Sequence, residues 1–200
     1  MNKKMKWIIP LGIVLILAFW VKNSYNRMVT ADENVVQAWS QVENVYQRKY
    51  DLIGNLVAVV KNYADFEQET LTKVIEARAN ATKVTIDPTN LTEDNMAQFQ
   101  AAQNQLSGSL SRLLVTVERY PDLKANQNYL ELQAELTGSE NRIAVERKKF
   151  TEIVRDYNLS VRRFPSNIIA GIFGFDKKAN FQADKEAEGG KVNVDSLLNK

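Results

Sequence analysis

The longest apolar stretch of the chain is an uncharged run over residues 7–21, WIIPLGIVLILAFWV. Lys3, Lys4 and Lys6 precede it and Lys22 follows it directly. Trp7 and Tyr25 are about 27 Å apart along a helix, close to the bilayer hydrocarbon thickness of about 30 Å, and aromatic residues suit both membrane interfaces. The pattern predicts an uncleaved transmembrane helix. Its apolar anchor residues are Trp7, Ile8, Ile9, Leu11, Ile13, Val14, Leu15, Ile16, Leu17, Phe19, Trp20 and Val21.

Two other interpretations of this run stay open. A cleavable signal peptide shares the basic start and the short apolar core, but it also needs small residues at the cleavage site. Residues 18–25 read AFWVKNSY and place bulky side chains there. The run is short for a membrane span, so a signal cut near residues 18–24 and a buried core helix remain alternatives.

Beyond a linker over residues 23–29, apolar positions recur every three or four residues, which is the period of a helix. Thr30 to Glu33 has a capping-box pattern and predicts a helix start; the alternative is that the anchor helix runs on. The first bundle helix would extend from Thr30 to about Lys83, with a bend near Gly54. Lys49 interrupts its apolar stripe, and the stripe shifts to another face of the helix after Tyr63. The positions before the shift are Val35, Trp39, Val42, Tyr46, Ile53, Leu56, Val60 and Tyr63, and those after it are Ala64, Leu71, Val74 and Ile75.

Two further helices follow the turn at residues 87–90. Asn90 or Thr92 would cap the second helix, and Asn126 or Asn128 the third. The second helix has a heptad seam of Met96, Phe99, Gln103, Leu106, Leu110, Leu113, Val117 and Tyr120. After Pro121, the third repeats the spacing through Tyr129, Leu132, Leu136, Glu140, Ile143, Arg147, Phe150, Val154, Tyr157, Val161 and Phe164. Within it, Glu140 and Arg147 indicate either a polar layer or partly exposed seam inside the bundle, or a buried functional charge pair.

The predicted fold class is therefore all-α: a transmembrane helix followed by an antiparallel up-and-down bundle of three long helices, or four if the first one breaks. Its parts are the anchor (1–22), the linker (23–29), the bundle (30–175) and a flexible polar tail (176–200). With three helices, the apolar segment 165–175 would lie at the tip far from the membrane. It would either cap the bundle or contact a partner or a lipid surface through Ile168, Ile169, Ile172, Phe173 and Phe175.

Composition narrows the possible chemistry. The chain has neither Cys nor His, which excludes Cys and Ser–His nucleophiles, His-ligated zinc and Glu-x-x-His di-iron sites. A net charge of +2 and no basic cluster with interleaved aromatics predict no nucleic-acid partner. No glycine motif for a phosphate appears, so we expect no cofactor and identify no small-molecule substrate. One remaining hypothesis is a carboxylate metal or enzyme site from Glu67, Glu69, Glu76, Glu131, Glu135 and Glu140.

Several strings together resemble the LemA family: AWSQVENVYQRKYDLIGNLV (38–57), ERYPDLKAN (118–126), ENRIAVERKKF (140–150), and YN followed by FPSNIIAGIFGF (157–175). The resemblance extends from Asn23 to Phe181. This chain has Gly54 where the family usually has Pro. The resemblance implies a bacterial membrane protein with an antiparallel helical bundle, and it supplies no catalytic residues.

These observations predict a non-enzymatic scaffold or adaptor of the bacterial cell envelope. It would be a single-pass protein of the inner, cytoplasmic membrane, in contact with the lipid bilayer and with protein partners or copies of itself. Lysines and arginines near the span favour the periplasmic side for the C-terminal domain. The alternative is a secreted helical, adhesin-like protein that is released by signal cleavage.

Overall fold

The computed structural model describes residues 5–63 and 66–182, with side chains from Ile9 onward. Within these residues the chain forms six helices and no strand. They are α1 (Met5–Lys61), α2 (Gln68–Lys83), α3 (Glu93–Val117), α4 (Pro121–Lys124), α5 (Gln127–Arg162) and α6 (Ser166–Phe173). The all-α prediction is confirmed.

The bundle has four long helices, so the alternative in which the first predicted helix breaks is the one the structure shows. That helix ends at Lys61 rather than at Lys83, and α2 folds back along α1. Asn62 and Tyr63 already donate to the carbonyls three residues earlier, and Phe66 turns inward against Tyr120 with ring centroids 5.1 Å apart. Asn is a poor helix former, and Asn62 directly follows the last residue of α1.

Gly54, where we expected a bend, lies inside α1, and the helix continues for seven residues beyond it to Lys61. Residues 23–29, assigned to a linker, are also helical. The alternative that the anchor helix runs on is therefore the one observed, and Thr30 does not begin a helix: its hydroxyl donates to the carbonyl of Asn26. The anchor and the first helix of the bundle are thus a single helix of 57 residues.

The predicted seams form the core. Trp39 on α1 is completely buried and packs against Phe99 of α3 and Phe150 of α5, each at 5.3 Å between centroids. Thr92 caps α3 through the amide of Asn95, and Asn126 caps α5. Two predicted apolar positions are exposed instead: Ile75 on α2 is 46% exposed, and Phe164, directly after α5, is 82% exposed. The other seam positions of α3 and α5 that are buried include Met96, Leu106, Leu110, Leu113, Val117, Tyr129, Leu136, Ile143, Val154, Tyr157 and Val161.

The extra reversal changes where the chain ends. Because α1 and α3 run away from the anchor and α2 and α5 run back towards it, α5 ends beside the anchor end of α1. The prediction that segment 165–175 lies at the far tip is therefore wrong: α6 packs against both α5 and α1. The predicted tail is also partly packed, since residues 176–182, which form neither helix nor strand, pack against the bundle and Phe181 lies against Trp39. Residues 183–200 lie outside the described residues.

Candidate membrane-proximal site

The apolar surface of α1 remains uncovered along the predicted anchor. In the described part of the chain, α1 is the one helix long and apolar enough to span a membrane, and its apolar window is not buried. Trp20 and Val21 are partly covered by the bundle, whereas Trp7 and Ile8 have no described side chains. The exposed anchor residues are Ile9, Leu11, Ile13, Val14, Leu15, Ile16, Leu17 and Phe19.

Helix α6 joins this end of α1 through its own apolar residues. The ring of Tyr25 lies 4.8 Å from the ring of Phe173 and 5.7 Å from that of Phe175, centroid to centroid. Gly174 ends the helix with a φ of 75°, a left-handed conformation that glycine adopts without strain. Its amide donates to the carbonyl of Ala170, which satisfies the helix end.

The five predicted contact residues divide between two faces of this segment. Ile169 is buried against the bundle, and Phe175 is partly buried. Ile168, Ile172 and Phe173 are exposed, with Ile172 at 68%. The segment therefore both covers the base of the bundle and leaves an apolar face open.

A cleft of about 500 Å³ lies between α1 and the junction of α5 with α6. Its walls combine cationic, hydroxyl and apolar side chains. The lining residues from α1 are Trp20, Ser24, Arg27 and Met28, and those from the junction include Asp156, Ser160, Arg163, Phe164 and Ser166.

Residues 176–182 are held against the bundle by a buried lysine that the sequence did not point to. Lys178 is 5% exposed. Its Nζ lies 2.7 Å from Oδ1 of Asp32 on α1 and donates to the carbonyls of Pro88 at 3.0 Å and Thr89 at 3.4 Å. Its backbone exchanges two hydrogen bonds with the Asn158 amide on α5. One side chain thus ties the C-terminal segment, α1 and the loop before α3 together.

Tyr157 belongs to the same cluster. Its hydroxyl donates to the carbonyl of Asp176 at 2.9 Å, and the Lys178 ammonium lies 5.4 Å from its ring centroid. Burial, with the nearby Asp32 and Asp176 carboxylates, raises the pKa of Tyr157 to about 12. A tyrosine held neutral in this way is a structural hydrogen-bond donor.

Glu140 and Arg147, the two polar interruptions of the third predicted helix, have different surroundings. Glu140 Oε1 lies 2.7 Å from Nζ of the buried Lys49, which also donates to the Ser107 hydroxyl at 3.1 Å. The guanidinium of Arg147 lies 4.4 Å from the ring centroid of Phe181. The arrangement is therefore a polar layer. Lys49, which interrupts the apolar stripe of α1, forms an ion pair with Glu140, which interrupts the apolar stripe of α5.

The candidate carboxylates are not brought together, and four of the six belong to separate ion pairs. Glu67 pairs with Arg119, and Glu69 with Lys73. Glu135 pairs with Arg48 on α1. Across residues 5–63 and 66–182, no group of three or more Asp or Glu residues could hold a metal ion.

Comparison with known proteins identifies two kinds of relative, a LemA protein and a magnetosome protein. The chain is 26% identical over 194 residues to "Protein LemA" of Metamycoplasma hominis, covering 96% of this chain and 83% of that protein. It is also 26% identical over 175 residues to "Magnetosome protein MamQ 2" of Paramagnetospirillum magneticum, covering 79% of this chain and 64% of the relative. The chain thus spans less than two thirds of the length of that magnetosome protein.

The family comparison covers most of the chain. The model of the LemA family matches residues 38–195, a range that contains the strings on which the resemblance was first based. The match includes α1 from Ala38 onward, all the later helices and the packed C-terminal segment. This chain therefore belongs to the LemA family.

Proposed function

We propose that the chain is a single-pass protein of the bacterial cytoplasmic membrane that acts as a non-enzymatic scaffold through protein–protein contacts. The observation that carries the proposal is the continuity of α1. An exposed apolar segment and the first helix of the bundle belong to one helix, so the bundle would be held rigidly at the bilayer surface.

The length of α1 would hold the tip of the bundle well away from the membrane. From Met28, at the base of the bundle, to Lys61 the helix is about 50 Å long. The tip, formed by α4 and the turn after α1, would stand that far from the membrane. The lysine and arginine distribution around the anchor favours a periplasmic position for this tip.

The same continuity argues against release by a signal peptidase. Cleavage near residues 18–24 would cut α1 inside a helix, and a cut after Val21 would remove Trp20 and Val21, both of which pack against the core. A secreted form would therefore begin with a damaged base. Sequencing the N-terminus of the mature protein distinguishes the two, because a scaffold anchored by α1 keeps residues 1–24.

The scaffold role is tested by photo-crosslinking in living cells. A photoreactive residue is placed at Val115 on α3 or at Val145 on α5, which are exposed apolar positions on the bundle wall. Glu43 on α1, exposed and polar, is the control position. We expect at least one wall position to give a defined protein adduct or a dimer. Monomer alone at every position, with the chain in the membrane, would contradict the scaffold role.

A further inference from the structure

We propose that the cleft between α1 and the α5–α6 junction binds the phosphate headgroup of an anionic phospholipid in the membrane that anchors the chain. The proposal rests on the proposed function to the extent that α1 must hold the chain in that membrane. It assigns a ligand to the base of the bundle, which would then rest on the bilayer.

The first argument is the charge of the cleft. Arg27 and Arg163 both line it, and no ion pair among the described residues involves either guanidinium. Asp156, the one acidic residue of the lining, pairs with Arg155 at 3.0 Å. Two arginines with planar N–H donors suit a phosphate, which they bind through charge-assisted hydrogen bonds.

The second argument is the position of the cleft relative to the headgroup level of the bilayer. The cleft opens beside Trp20 and Ser24, where the apolar anchor gives way to polar sequence. Tryptophan is enriched at the headgroup level of bilayers, so Arg27, two turns further along α1, would stand among the headgroups. The acyl chains of a lipid bound here would extend along the exposed anchor, among the acyl chains of the surrounding bilayer lipids.

The third argument is the outer face of the junction and α6. Phe164 is 82% exposed and Ile172 68% exposed, and Ile168 lies one turn before Ile172 on the same side of the helix. No charged residue occurs from Pro165 to Phe175. A short helix that is apolar on both its buried and its outer face requires an apolar environment outside as well. The exposed anchor of α1 adjoins this face, so one lipid surface would cover both.

The test uses the full chain in dodecyl maltoside micelles, titrated with phosphatidylglycerol or phosphatidylcholine, with bound lipid counted by native mass spectrometry. The test variant is Arg27→Gln with Arg163→Gln. The matched control is Arg112→Gln with Arg142→Gln, two exposed arginines higher on α3 and α5 that change the net charge equally.

We expect one phosphatidylglycerol to bind about tenfold more tightly than phosphatidylcholine. Both lipids carry a phosphate, but the choline ammonium of phosphatidylcholine would be repelled by the guanidinium groups of Arg27 and Arg163, and a tenfold difference needs only about 1.4 kcal/mol of such repulsion. The test variant should lose this preference, and the control should keep it. Equal binding of the two lipids, or an unchanged preference in the test variant, would overturn the proposal. Tighter binding of inorganic phosphate or glycerol phosphate than of the lipid would instead identify a site for a soluble anion and equally overturn it.

Failure of the anchor itself has a different signature. If the chain stays in solution without detergent and leaves membranes in alkaline carbonate, the proposed function fails whatever the lipid preference. If it stays in the membrane but does not distinguish the lipids, only the headgroup site fails.

Discussion

Replacing Asp32 with Asn is expected to destabilise the bundle, because it removes the carboxylate from a buried ammonium. Lys178 Nζ would keep the carbonyls of Pro88 and Thr89 but lose its only charged partner among the described residues. Hydrogen bonds to charged groups contribute about 1.5–3 kcal/mol, and breaking a fully buried ion pair costs about 3–5 kcal/mol. The Asp32 side chain retains 30% exposure, so we expect the lower range, about 1.5–3 kcal/mol.

The assay is thermal unfolding of the full chain in detergent micelles, followed by circular dichroism. For a protein of this size, 1 kcal/mol corresponds to a shift of about 2–4 °C, so the melting temperature should fall by roughly 3–12 °C. The control is Asp156→Asn, which alters an exposed carboxylate that pairs with Arg155. Exposed pairs contribute about 0–1 kcal/mol, and this variant should melt close to the parent chain.

A double variant shows whether Asp32→Asn destabilises the bundle because it leaves a buried ammonium unpaired or only because a side chain has been replaced. Asp32→Asn combined with Lys178→Met removes the charge as well as its partner, and it should be more stable than Asp32→Asn alone, because no unpaired ammonium is left buried. If Asp32→Asn melts with the Asp156→Asn control, or if the double variant is the least stable, the account of this cluster is wrong.

Three further perturbations test other parts of the structure. Leu110→Asp places an unpaired carboxylate in the buried seam of α3 and removes about 1.5–3 kcal/mol of apolar burial; an unchanged melting temperature would refute the seam. Glu140→Gln should cost about 1–2 kcal/mol by leaving Lys49 without its charged partner, and adding Lys49→Met should recover stability in the same melts. Tyr46 and Tyr157 have pKa values raised to about 12, mainly by burial, so stability should fall between pH 10 and pH 12, where the unfolded chain releases these protons first. Ultraviolet titration of the folded chain should show this late step, and the Tyr46→Phe and Tyr157→Phe variants should each reduce it; titration of every tyrosine near pH 10 would contradict it.

The helix faces could be predicted because each helix buries one stripe, and a stripe appears directly in the spacing of apolar residues. The break between α1 and α2 also left a signal, the phase change of the stripe after Tyr63, but phase alone does not distinguish a shifted face from a reversal. Missing that reversal moved α6 to the wrong end of the bundle. The single missed reversal between α1 and α2 thus decided whether segment 165–175 was expected at the far tip or beside the predicted anchor.

The polar cluster at the base could not be predicted in the same way. Asp32 matched a helix-start pattern, and Lys178 lay in a segment whose polar composition indicated a tail. Their contact depends on the path of the chain after α6, which no local periodicity encodes. Lys49 and Glu140 stood out as interruptions of two stripes, but only the register of α1 against α5 shows that they are partners.

The central claim is that α1 is one helix that both anchors the chain and forms the bundle. It is tested most directly by the intact mass of the protein recovered from cell membranes after alkaline carbonate extraction. The account predicts that the chain remains with the membrane pellet and retains residues 1–24. Recovery in the supernatant of a chain that lacks its first 18–24 residues would contradict it.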